Sequence, residues 1–233
     1  MKKNCIGMGR WIAHMTKEYT SLVVMAVYAV FYLTAFYYLE QRTVSYYVIN
    51  FELDKYIPFC EIFVVPYFLW FAYVALTVCF LCVKDKNEAD KLVKFLIAGM
   101  TIFIVISAVF PNGHHLRPKY FERDNIFIDM IRGLYKADTS TNVLPSIHVY
   151  NSVAIMIAVW RSKCFTNHKV IKAGMLGLGV SIIFSTVLIK QHSTIDVLLA
   201  LLLSALMYSV CYRGVSVSEK NGELRENRIK TSR

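Results

Sequence analysis

Charge is absent where a soluble chain would carry it. Residues 21–38 and 62–83 contain no Asp, Glu, Lys or Arg. Four further apolar blocks follow, at 92–110, 145–160, 170–189 and 195–212, the third and fifth blocks each holding one lysine near an end, Lys94 and Lys172. Such lysines can snorkel to headgroups. Crossing a bilayer takes roughly 20 mostly apolar residues. The pattern therefore excludes an ordinary soluble domain, whose apolar residues fall in periodic stripes rather than blocks. The blocks are continuous rather than alternating, which argues for helices over a β-barrel. A paired cysteine framework is also missing. Of Cys5, Cys60, Cys79, Cys82, Cys164 and Cys211, only Cys60 falls near the outer side. Cys79 and Cys82 lie inside a block and read as packing residues rather than a metal or redox pair. No small-residue cleavage site follows Met1-Lys-Lys, so the first block reads as a retained span. No internal repeat is visible, and no block is broken at its middle as transporter helices often are.

What is present is an apolar, basic chain of 233 residues, 56% hydrophobic, with net charge +10 and mean hydropathy +0.45. The expected fold is all-α: a polytopic membrane protein of six transmembrane helices. The expected organisation is a cytoplasmic segment 1–20, a membrane domain 21–213 and a polar cytoplasmic tail 214–233. With the N-terminus inside, 18 of the 26 Lys and Arg residues fall on the inner segments and their flanks. That bias places both termini in the cytoplasm, and the expected location is the plasma membrane. It also assigns the positive charge to lipid headgroups rather than to nucleic acid. Trp11 is a candidate interfacial anchor. In the long loop 111–144, Phe127, Met130, Ile131 and Leu134 recur at helical spacing, which predicts an amphipathic helix on the outer surface.

Two histidines open apolar blocks on that outer side. His148 follows Pro145-Ser146-Ile147, and His192 precedes Asp196 by four residues. Two crossings separate them, so both lie at one depth. At i, i+4, Asp196 can hold one ring nitrogen of His192 and leave the other free; the alternative is a capping Asp that merely orients a histidine. Pro145 and Ser146 are helix-start residues, and a helix N-terminus favours an anion. Arg117 can bind phosphate bidentately. Together these residues fit phosphoryl transfer through a histidine nucleophile better than a metal site, for which His114 and His115 are the candidate additions.

Arg117-Pro118, Pro145-Ser146-Ile147-His148 and the run from Ser185 through His192 to Asp196 resemble the three motifs of the type-2 phosphatidic acid phosphatase superfamily. In that family's pattern, Phe110 stands where a Lys is usual, Ile147 where a Gly is, and Thr186 where an Arg is. Lys190 or Lys119 could replace the missing cations. The run from Lys190 to Val197 also looks like the third motif of the sphingomyelin and inositol-phosphorylceramide synthase branch. The resemblance implies a metal-independent lipid phosphate phosphatase at the outer membrane face. In it His192 is the nucleophile, Asp196 orients it and His148 is the general acid and base. Arg117, Ser146 and Lys190 hold the phosphoryl oxygens. It implies a lipid phosphate as substrate, and no cofactor. The alternatives are a lipid phosphotransferase or a non-catalytic lipid-binding relative.

Overall fold

The computed structural model describes residues 20–49 and 51–213. The segment with Trp11 and the polar tail lie outside the described residues. The described residues are all-α apart from two two-residue strands. Its elements are α1 (Thr20–Gln41), β1 (Tyr47–Val48), 3-10 turns at Glu52–Lys55 and Glu61–Phe63, α2 (Val64–Lys84), α3 (Lys86–Val109), β2 (Asn112–Gly113), α4 (Ile126–Ala137), α5 (Ile147–Arg161), a 3-10 turn at Lys163–Phe165, α6 (Lys169–Leu188) and α7 (Thr194–Tyr208). A π-helical turn, Ser209–Arg213, extends α7.

Among the described residues five segments are long and apolar enough to cross a membrane: Thr20–Gln41, Glu61–Lys84, Lys86–Val109, Lys169–Leu188 and Thr194–Tyr212. The fourth apolar block of the sequence forms a shorter helix. α5 has 15 residues, about 22 Å at 1.5 Å per residue, short of the roughly 30 Å hydrocarbon core. It is the central helix, packed against α2, α3, α6 and α7, and ten of its residues are buried. Large apolar side chains cover the outside of the bundle instead, among them Val27, Phe31, Leu76, Val105, Phe184 and Leu202. In water such a surface would aggregate; in lipid it is the ordinary exterior of a membrane protein.

Helix starts follow their caps. Asp85, Asn125, Ser146 and Ser193 each accept a backbone N–H of the first turn of α3, α4, α5 and α7, meeting donors the helices cannot satisfy themselves. α3 and α5 approach closely because Gly99 has no side chain. A Cβ there would lie 1.9 Å from the Tyr150 ring, whose hydroxyl donates to the Phe95 carbonyl at 2.9 Å.

The loops after α1, α3 and α6 meet at one end of the bundle. β1 pairs in parallel with β2, Thr141 bridges Gly113, and the Cys60 amide donates to the Leu188 carbonyl. α4 forms the roof of this end. Ile131 and Leu134 pack with Val64, Tyr67 and Ile189, so the amphipathic segment exists and its apolar face is spent on the bundle.

Candidate active site

A cavity of about 810 Å³ runs between α1 and α2 and ends under the roof. That volume lies within the range of small-molecule sites. Leu22, Met25, Ala29, Leu33 and Phe36 line it along α1. These positions span about 21 Å of helix. Trp70, Val74 and Val78 of α2 face them, and Met100 and Phe103 of α3 also line it. At the roof end the wall turns polar, with Asp138, Asn142, His148, Asn151, Gln191 and His192. Among the described residues no Lys or Arg lines the cavity.

His148 and His192 meet there with ring centroids 5.8 Å apart. His148 stands in the first turn of α5, held between Tyr67 at 4.4 Å and Trp70 at 4.3 Å. Its Nδ1 is buried without a hydrogen-bond partner among the described residues. His192 sits on the tight reversal between α6 and α7. Lys190 adopts φ 55° there, a left-handed conformation uncommon outside glycine. The Gln191 and His192 amides both donate to the Thr186 carbonyl. His192 Nδ1 is 3.2 Å from Asp196 Oδ2. That same oxygen accepts the Ser193 amide at 2.8 Å, which completes a capping box at the start of α7. Capping and histidine orientation are therefore one arrangement, and His192 Nε2 is left to the cavity side.

The other expected site residues are placed differently. Arg117 donates to the carbonyls of Tyr135 at 3.2 Å, Asp138 at 2.8 Å and Thr139 at 2.7 Å, and to Gln191 Oε1. Its guanidinium lies 4.3 Å over the Tyr135 ring. It thus ties the end of α4 to the residue beside His192. Ser146 is fully buried, and its Oγ caps the Val149 amide. The Lys190 ammonium donates to the carbonyls of Asp54 and Ile57, and burial lowers its pKa. Arg117, Ser146 and Lys190 are not among the cavity-lining side chains. Phe110 stacks on Tyr47 at 4.8 Å, and Thr186 is buried, donating to the Ile183 carbonyl. Lys119 is exposed.

Several side chains of this end escape a reading of the sequence. Asp54 accepts from the Thr194 amide at 2.7 Å, from the Thr194 hydroxyl at 2.6 Å and from the Ser193 hydroxyl. Burial raises its pKa, but those bonds outweigh it and the net shift is downward. His114 donates from Nε2 to the Gln191 carbonyl at 2.7 Å and accepts the Leu116 amide on Nδ1; burial pushes its pKa down to about 4. Among the described residues no three His, Cys, Asp or Glu side chains cluster as a metal site would need. Asp138 accepts from the Tyr67 hydroxyl at 2.9 Å and the Gln191 amide at 3.3 Å, and burial raises its pKa. One local signal marks it. It is the C-cap of α4, where the helix dipole disfavours an acid.

The family model of the PAP2 superfamily matches residues 116–220. This stretch of the chain is similar to the PAP2 superfamily. The matched stretch holds both cavity histidines, Asp196 and the roof helix α4. PAP2 members are lipid phosphatases or phosphotransferases, which fits a polar, histidine-bearing end on an apolar chamber. Searches of curated proteins and of solved structures found no match.

Proposed function

We propose that the protein is an integral membrane lipid phosphate phosphatase that hydrolyses a phosphomonoester or pyrophosphate through a phosphohistidine. The observation that carries this is the pairing of His148 and His192 at the polar end of a long apolar cavity. The lipid tail lies along α1 and α2 and the phosphate under α4. His192 Nε2 attacks phosphorus, and Asp196 on Nδ1 fixes the tautomer and balances the charge that forms. The phosphorus–oxygen bond to the lipid breaks, and the leaving oxygen takes a proton from His148. His148 then takes a proton from water, whose oxygen attacks phosphorus and releases His192. The N-terminus of α5, capped by Ser146, supplies backbone N–H groups for the phosphoryl oxygens. Arg117 acts through Gln191 and the 138–139 backbone, and Lys190 holds the loop that seats His192. Lys84, Lys86, Lys91, Lys163 and Lys169 stand at the bundle end opposite the histidines. This charge bias supports an active site on the outer face and cytoplasmic termini.

A second reading is transfer of the phospho-headgroup to a lipid alcohol. It is favoured by the long apolar wall that leads to the polar end, a route for a lipid alcohol as well as for the substrate tail. Phosphate release from a panel of lipid phosphates, with the detergent-purified protein and EDTA present, tests the first reading. Release is expected from the wild type and absent from His192→Ala. Release only of a lipid product when an acceptor alcohol is added would shift the assignment to transfer. Equal release by His192→Ala would overturn both.

A further inference from the structure

The phosphate end of the chamber has an unusual charge balance. Among the described residues it presents one carboxyl, Asp138, and no Lys or Arg side chain. An ionised Asp138 would repel a phosphate group held beside His192. Its surroundings bear on its proton. Tyr67 from α2 and Gln191 beside His192 both donate to Oδ2, so a proton on the carboxyl belongs on Oδ1. Glu40, at the end of α1, lies close by. It accepts the Thr139 amide at 3.0 Å and the Asn142 side chain at 2.8 Å, and its charge favours the neutral form of Asp138. Arg117 and His192 act in the opposite sense, and burial favours the neutral acid most. Tyr135 of α4 faces Arg117, and His148 is reached through the Tyr67 ring stacked on it.

Resting on the reading that His192 attacks phosphorus, we propose that Asp138 binds the substrate as a neutral carboxylic acid. Oδ1–H donates to a phosphoryl oxygen where the motif's cations would otherwise stand, and loss of this proton closes the site to phosphate. One proton is thus retained at Asp138 for each phosphate bound, and no bond is made or broken at this residue.

The test is the pH profile of kcat/KM for a short-chain lipid phosphomonoester with wild type, Asp138→Asn, Asp138→Glu and His192→Ala. The substrate's second ionisation, near pH ~6, is common to all and cancels in ratios. The ratio of Asp138→Asn to wild type is expected to rise about tenfold per pH unit above the Asp138 transition. Asp138→Glu keeps the alkaline fall of the wild type. A ratio that stays flat with pH, or an Asp138→Asn protein that folds and is inactive at every pH, overturns the proposal. If Asp138→Asn does not unfold cooperatively, the wild type decides alone. Sulfate, whose charge is fixed over this range, should inhibit about tenfold more weakly per pH unit above the same midpoint; pH-independent inhibition overturns the proposal. Turnover that does not depend on His192 refutes the phosphohistidine reading itself. His192-dependent turnover with a flat ratio refutes only the role of Asp138.

Discussion

At the scale of single residues, the site rests on hydrogen bonds that serve twice. Asp196 Oδ2 holds both the His192 ring and the first amide of the capping box. Asp196→Asn should therefore keep α7, because Ser193 remains its cap and the Asn oxygen can still accept the Ser193 amide, yet misdirect the imidazole. A fall in kcat of about 10²- to 10⁴-fold is expected, with unfolding temperature nearly unchanged; steady-state kinetics beside thermal unfolding checks both. His114 gives a prediction about stability. In the folded chain its pKa is about 4 against an ordinary 6.5. Above pH ~6.5 the ring is neutral folded or unfolded and has no effect. As pH falls toward ~4 only the unfolded chain takes up the proton, so stability is lost, by up to ~3 kcal/mol. His114→Gln should lack this loss, and unfolding scans of the two proteins at neutral and acid pH will show whether their difference narrows on acidification. The two cavity histidines were legible in the sequence because the chain leaves this end of the bundle along α5 and returns to it along α6. Asp138, Tyr67 and Asp54 were not. Each takes its meaning from a partner on another segment, Tyr67 on Asp138 across 71 positions and Asp54 on Thr194 across 140.

At the scale of elements, apolar runs located every long helix, because lipid forces backbone pairing within each segment. They did not distinguish α5. Its residues are as apolar as a span, but they face other helices rather than lipid, and hydropathy cannot separate those two surroundings. The amphipathic period of α4 was legible, whereas the surface it covers was not. The α3–α5 crossing turns on Gly99, which no periodicity marks. Gly99→Ala should destabilise the bundle by about 1–3 kcal/mol through overpacking against Tyr150. Gly133→Ala, where an added Cβ meets nothing within 4 Å, is the control and should be neutral or stabilising; thermal unfolding in one detergent compares them.

At the scale of the whole molecule, the chamber couples a long apolar wall to a small polar end. Filling the wall should affect long lipids alone. Ala29→Trp on α1, far from the histidines in sequence, is expected to raise KM for a long-chain lipid phosphate about tenfold or more while sparing a short soluble phosphate ester. Equal losses on both substrates would mean that the tail lies elsewhere. The clamp from Asp54 to Ser193 and Thr194, with Lys190 bound back to the carbonyls at 54 and 57, has a further consequence in time. Chains emerge from the ribosome N-terminus first, so Asp54 is made long before the residues that engage it. Every earlier helix can be in place while His192 still has no seat. On the proposed mechanism a partly made chain is thus inert toward the lipids around it, and activity appears in one step as α7 enters the membrane.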